Sequence, residues 1–172
     1  VASGTSLSSP GASGSAILLV QYYDRLFKHE AMRASTLKGL LLHTADDLLE
    51  PGPDYQTGWG LINVHKAAQL IRLHANATDG KHLIEASLDS IHDVETYHVV
   101  IKKPKRITLT LCWTDPDGQP TEDHDNRQPA LVHDLDLRVS LGKKVYLPFT
   151  LNPLEPEQPA VPGDNILDNV EQ

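Results

Sequence analysis

Cysteine is nearly absent: Cys112 stands alone in 172 residues, which excludes an internal disulfide framework and any CxxC zinc or redox site. Long apolar runs are missing as well. The longest, residues 16–20, is broken by Gln21, far short of the roughly 18 apolar residues that a membrane-spanning helix needs. Positive charge is in deficit, with 15 Lys and Arg against 23 Asp and Glu and a formal net charge of −8. A nucleic-acid partner or an anionic membrane surface is therefore not expected. The deficit is uneven: residues 1–80 carry 6 basic and 7 acidic side chains, residues 81–172 carry 9 and 16. Also lacking are an initiator Met and the basic start and apolar middle of a signal peptide. Val1 opens in a small, polar context, as expected of an internal piece of a longer chain.

What is present belongs to a globular protein. With 40% apolar and 22% charged residues, the chain can bury a core, and its length suits one ordinary domain or two small ones. The apolar period changes near residue 78, which predicts a boundary between units 1–78 and 79–172. Before it the period is helical. Ala16, Ile17, Leu18, Leu19, Val20, Tyr22, Tyr23, Leu26 and Phe27 leave almost no polar face, which predicts a helix buried on most sides. Leu37, Leu40 and Leu41 predict a second helix behind Ser35 as cap, and Val64, Ala67, Ala68 and Ile71 a third behind Asn63. Pro51-Gly52-Pro53-Asp54 is a loop by its backbone chemistry. After Asp79-Gly80 the period drops to two, and residues 83–88, 97–101, 107–113 and 135–139 predict short strands of an antiparallel β-domain.

The most informative stretch is Gly4-Thr5-Ser6-Leu7-Ser8-Ser9-Pro10-Gly11-Ala12-Ser13-Gly14. It places Ser6 at a loop-to-helix junction, where unpaired amides point outward and the macrodipole favours developing negative charge. The amide of Ser6 could itself help to hold an oxyanion. Gly4 lets the backbone bend sharply, and Pro10 suits a first helical turn, where its missing N–H costs nothing. By composition alone the stretch reads as a Ser-rich cap and linker.

Position for position, these residues match the serine-centred signature G-T-S-x-[SA]-x-P-x-x-[STAVC]-[AG] of the subtilisin-like serine proteases. Such a match arises by chance on the order of once in ten million positions. Leu41-Leu42-His43-Thr44-Ala45 resembles the family's helix ending in Thr-Ala, and Gly58-Trp59-Gly60-Leu61-Ile62-Asn63 its closing turn before the final helix. The second half is more loosely similar to the β-sandwich that follows the catalytic domain in one branch of large bacterial and protist subtilases. That likeness rests on residues 110–116, 130–137 and 164–172. The resemblance thus implies a partial α/β subtilisin-like catalytic domain, then a mostly antiparallel, jelly-roll-like β-sandwich that lacks its final strands and leaves an unpaired edge.

By the same resemblance Ser6 is the catalytic nucleophile of a secreted serine endopeptidase, acting on a polypeptide through an acyl-enzyme. Serine needs a histidine to take its proton and a carboxylate to hold the imidazole. In subtilases the Asp, the His and the oxyanion-hole Asn all precede the serine. They are therefore expected in an upstream part of the same domain, which leaves the isolated chain inactive. None of the nine histidines matches the family's histidine motif. No cofactor is catalytic in this family, although subtilases often use structural calcium. Asp115, Asp117, Asp123, Asp125, Asp134 and Asp136 carry suitable oxygens, but no EF-hand register fits and a solvated acidic loop explains them as well. Cys112 is expected as a small buried hydrophobe, and Asn76-Ala77-Thr78 is a glycosylation sequon at the domain junction. The alternative to an enzyme is a noncatalytic β-sandwich binding or accessory module with a degenerate protease remnant.

Overall fold

The computed structural model describes residues 4–28, 30–78, 82–122, 124 and 126–172. Val1, Asp79, Gly80, Asp123 and Asp125, which the sequence analysis names, lie outside them. Helix α1 spans Thr5–Leu26, so the serine-rich motif is not a linker before the helix but its first turns. Hydroxyls help to make that possible. Ser13 Oγ donates to Ser9 O at 3.0 Å and Ser15 Oγ to Gly11 O at 2.8 Å, turning polar side chains back onto the helix's own carbonyls. Pro10 therefore lies inside the helix, not in its first turn. Without an N–H it cannot serve the carbonyl of Ser6, four residues before. The helix stops where Phe27 N–H closes on Tyr23 O at 2.9 Å and Lys28 turns left-handed at φ 54°.

Helix α2 spans Ala34–His43 and helix α3 Val64–Ala75. The cap of α2 is Arg33, with no side-chain bond, so Ser35 sits within the first turn instead of ahead of it. Asn63 does cap α3, its side chain accepting from Lys66 N at 2.9 Å. Leu19 and Tyr23 of α1, Leu40 of α2, and Ala67 and Ile71 of α3 form the buried cluster. Burying a side chain such as Leu19 or Ile71 is worth roughly 1.5–3 kcal/mol, which is what holds three short-range elements into one unit. The cluster continues outward through Tyr23 stacked on Phe27, centroids 4.2 Å apart, and Phe27 against His74.

The expectation that α1 is buried on most sides is corrected. Only Leu19 and Tyr23 are buried, while Ile17 is 69% and Leu18 61% exposed. Two helices cover one stripe of a cylinder and cannot cover the rest.

In the second half every strand belongs to a two-stranded antiparallel pair. Strand β1 (Leu111–Cys112) pairs with β6 (Val170–Glu171), β2 (Val139–Leu141) with β3 (Lys144–Tyr146), and β4 (Phe149–Thr150) with β5 (Val161–Pro162). The strands expected over 83–88 and 97–101 do not form, and those expected over 107–113 and 135–139 survive only as Leu111–Cys112 and at Val139. Alternating side chains mark a segment able to join a sheet, but a strand exists only when another backbone takes its hydrogen bonds. In that stretch Ile91 and Val100 are each 83% exposed.

The two halves meet along α2. A Cβ placed on Gly39 would stand 3.1 Å from Cβ of Cys112, so a small residue is what lets the helix lie against β1. Arg33 Nε pairs with Glu85 Oε2 at 3.1 Å, and its Nη1 donates to Ala86 O. Lys38 Nζ donates to Asn169 Oδ1, whose amide in turn donates to Trp113 O at 2.9 Å.

Candidate functional site

Ser6 is the second residue of α1 and is exposed. Ahead of it Gly4 adopts φ 154° and ψ 160°, a conformation that residues with a Cβ rarely take. The residues of the first helical turn that follows are exposed. The carbonyl of Gly4 accepts from Leu7 N at 3.0 Å and Ser8 N at 3.3 Å. Among the described residues the amides of Thr5 and Ser6 pair with no acceptor. No acidic residue lies in the first turn, so nothing there neutralises the positive end of the macrodipole. Unpaired amides at a helix start favour developing negative charge nearby.

The loop from α2 to α3 is built to hold its shape. Asp46 and Leu61 exchange both backbone hydrogen bonds, at 2.8 and 2.9 Å. Asp46 also accepts from Asn63 Nδ2 at 2.8 Å and pairs with Lys66, and these contacts, Lys66 first, hold its carboxyl below the usual range. Gly60, at φ 99°, lies so close to this crossing that a Cβ would stand 2.2 Å from Asp46 O. The glycine-flanked turn thus works structurally, fixing the end of α2 against the start of α3.

The histidines whose partners are visible are engaged away from Ser6. His43 Nδ1 lies 2.9 Å from Thr110 Oγ1, His65 bonds Gln69, His92 pairs with Asp89, and His133 Nδ1 lies 3.1 Å from Asp115 Oδ1. His74 accepts from Leu83 N. Burial pushes the His43 imidazole down, toward the neutral form. Cys112 is half-buried, and burial pushes its thiol up despite Lys38 nearby; a thiol so placed is a weak nucleophile.

Of the acidic residues named as candidate calcium ligands, Asp115 and Asp136 are engaged within the chain, and Asp123 and Asp125 lie outside the described residues. Burial alone would raise the Asp115 carboxyl. The amides of Val132 and His133 outweigh it, at 2.6 and 2.9 Å, and hold it low. Asp136 Oδ1 pairs with Arg138 Nη2 at 2.6 Å, while Asp134 is exposed and Asp117 lies in the exposed loop. Among the described residues no group of three His, Cys, Asp or Glu side chains is gathered to hold a metal.

One group escaped the sequence analysis. Glu171 is fully buried, its Oε2 accepting from Leu137 N, and its Oε1 meets no partner among the described residues. Arg138 Nη1 stands 3.9 Å away, and burial pushes the carboxyl up. A glutamate in a two-residue strand carries no sign that it faces inward. The neighbouring Asn165, whose Oδ1 takes the amides of Leu167 and Asp168 and whose amide donates to Val170 O at 3.2 Å, is what turns β6 that way.

Among the described residues no helix is long and apolar enough to cross a membrane. The sequence model of the Subtilase family matches residues 2–60, a span that includes Ser6, the core of α1 and α2 and the turn up to Gly60. The chain is 29% identical over 145 residues to "Serine protease/ABC transporter B family protein tagA" of Dictyostelium discoideum, an alignment covering 78% of this chain and 8% of that protein. It is 42% identical over 64 residues to "Serotype-specific antigen 1" of Mannheimia haemolytica, covering 37% and 6%. The chain thus spans less than a tenth of either relative's length. No solved structure gives a significant match. The stretch that bears the exposed Ser6 is therefore subtilase-like.

Proposed function

We propose that this chain carries the nucleophile of a subtilisin-like serine endopeptidase. The observation that supports the reading best is Ser6 itself: exposed in the first turn of α1, behind Gly4 at φ 154°, within the residues that the Subtilase family model matches. In this reading Ser6 Oγ attacks a peptide carbonyl while a histidine accepts its proton, and a carboxylate keeps that histidine in the right tautomer. The C–N bond breaks, the protonated amine leaves, and water later frees the acyl group. The amides at the head of α1 stabilise the tetrahedral oxyanion. The histidine, the carboxylate and the oxyanion-hole asparagine come from a preceding part of the same catalytic domain. That part also covers the apolar side of α1 around Ile17, Leu18 and Val20, and the apolar groove between Leu41, Leu42, Trp59 and Ile62.

The substrate is a polypeptide and the protein is secreted. The second half belongs to a β-sandwich, a reading supported by its antiparallel strand pairs. Catalysis needs no metal, and calcium enters only as a stabilising ion.

The test is covalent labelling of the full-length protein that contains this chain. A fluorophosphonate probe labels Ser6 in the folded enzyme, and Ser6→Ala abolishes both labelling and peptide cleavage. A folded full-length protein whose Ser6 never labels overturns the reading and leaves the binding-module alternative.

A further inference from the structure

The sequon Asn76-Ala77-Thr78 has no part in the protease reading, and its position in the fold is specific. Asn76 ends α3, its backbone N–H closing on Arg72 O at 3.1 Å with φ −97° and ψ 0°. It follows the buried Ile71 by five residues, which at 3.6 residues a turn places it about 140° round the helix from the core. Its neighbours one turn back are Arg72 and Leu73, both exposed, Leu73 by 55%. Asn76 and Thr78 are themselves exposed, and among the described residues the Asn76 side chain makes no hydrogen bond. No second Asn-x-Ser/Thr occurs in the chain.

We infer that Asn76 is an N-glycosylation site and that its glycan lies over the outer face of α3, covering Leu73. The inference rests on the secretory route proposed above, and on acceptor chemistry that needs a carboxamide and a hydroxyl two residues on, both open to solvent. The donor is an oligosaccharide joined through pyrophosphate to a polyprenol lipid. Asn76 Nδ2 forms a bond to the anomeric carbon of the first sugar, the bond from that carbon to the pyrophosphate oxygen breaks, the lipid pyrophosphate leaves, and one amide proton is released. A side chain on a helix leans back over the preceding turn, so the first sugar meets Leu73, an apolar side chain that the three helices leave open. The core stripe of α3, on the far side, is untouched.

The experiment expresses the full-length protein that contains this chain behind a cleavable secretion leader in eukaryotic cells and follows the mass of the peptide bearing Asn76 before and after peptide:N-glycosidase. One discrete shift is expected. It is lost in Asn76→Gln and in Thr78→Ala and kept in Thr78→Ser, and the enzyme removes the glycan from the folded, secreted chain without denaturant. Attachment precedes folding, so a variant that folds poorly still reports on the acceptor. A secreted chain with no shift overturns the inference, as does a glycan found only on retained, aggregated chain. If the glycan is present but Ser6 of the full-length protein fails to label, the protease reading falls and this one stands.

Discussion

His43 and Thr110 meet across the join between the helical and β halves, the imidazole Nδ1 2.9 Å from the hydroxyl Oγ1. The same hydroxyl accepts from Gln172 Nε2 at 2.9 Å, so one threonine ties the end of α2 to the end of the chain. Gly39 against Cys112 and Lys38 against Asn169 lie along the same seam. The halves are thus joined by contacts that are partly polar and partly titratable.

That seam makes stability depend on acid. Burial lowers the folded-state pKa of His43 below its ordinary 6.5, so the unfolded chain takes up the proton first. The stability tied to the neutral imidazole is full above pH 6.5 and is lost as the pH falls through the depressed folded value. Thr110→Val removes both hydrogen bonds and is expected to cost roughly 1 kcal/mol at neutral pH, while His43→Gln flattens the acid limb. Urea midpoints between pH 5 and 8 check both, and an unchanged acid limb in His43→Gln would refute the assignment.

Glu171 has the opposite sign. Its folded-state pKa is raised from the ordinary 4.5 by burial, so its contribution is complete below that value and is lost as the pH rises through the raised one. Glu171→Gln keeps an acceptor for Leu137 N–H and removes the buried charge. The variant is expected to lose less stability than the parent between pH 5 and 8. A steeper loss in the variant would show that the charged carboxylate, paired with Arg138, is the stable form.

Gly60 tests the turn. An alanine there combines φ 99° with a Cβ 2.2 Å from Asp46 O, and strain of this kind costs about 1–3 kcal/mol before the clash is relieved. Thermal unfolding of Gly60→Ala should occur well below that of Gly11→Ala, where nothing stands within 4 Å of the added carbon. Equal midpoints would mean that the Asp46–Leu61 crossing moves aside freely.

The helices were legible because their evidence is local. Leu19 and Tyr23, or Ala67 and Ile71, are four residues apart and must share a face, and Asn63 caps α3 with its own side chain. The subtilase-like character of the stretch around Ser6 was legible through an eleven-residue pattern with little freedom to arise otherwise. The strands were not, because alternation around Val99 and Val100 says what a segment can do and not which backbone it meets.

The sequence by itself determined three helices and the place of Ser6 near the start of the first, both of them consequences of spacing along one chain. Only the tertiary structure decided that Pro10 lies within α1, that most of that helix's apolar surface is open, that Glu171 points inward, and that His43 closes on Thr110. The reason is distance. Burial and pairing are set by atoms that come from dozens of residues away, and no local pattern records which of them will arrive.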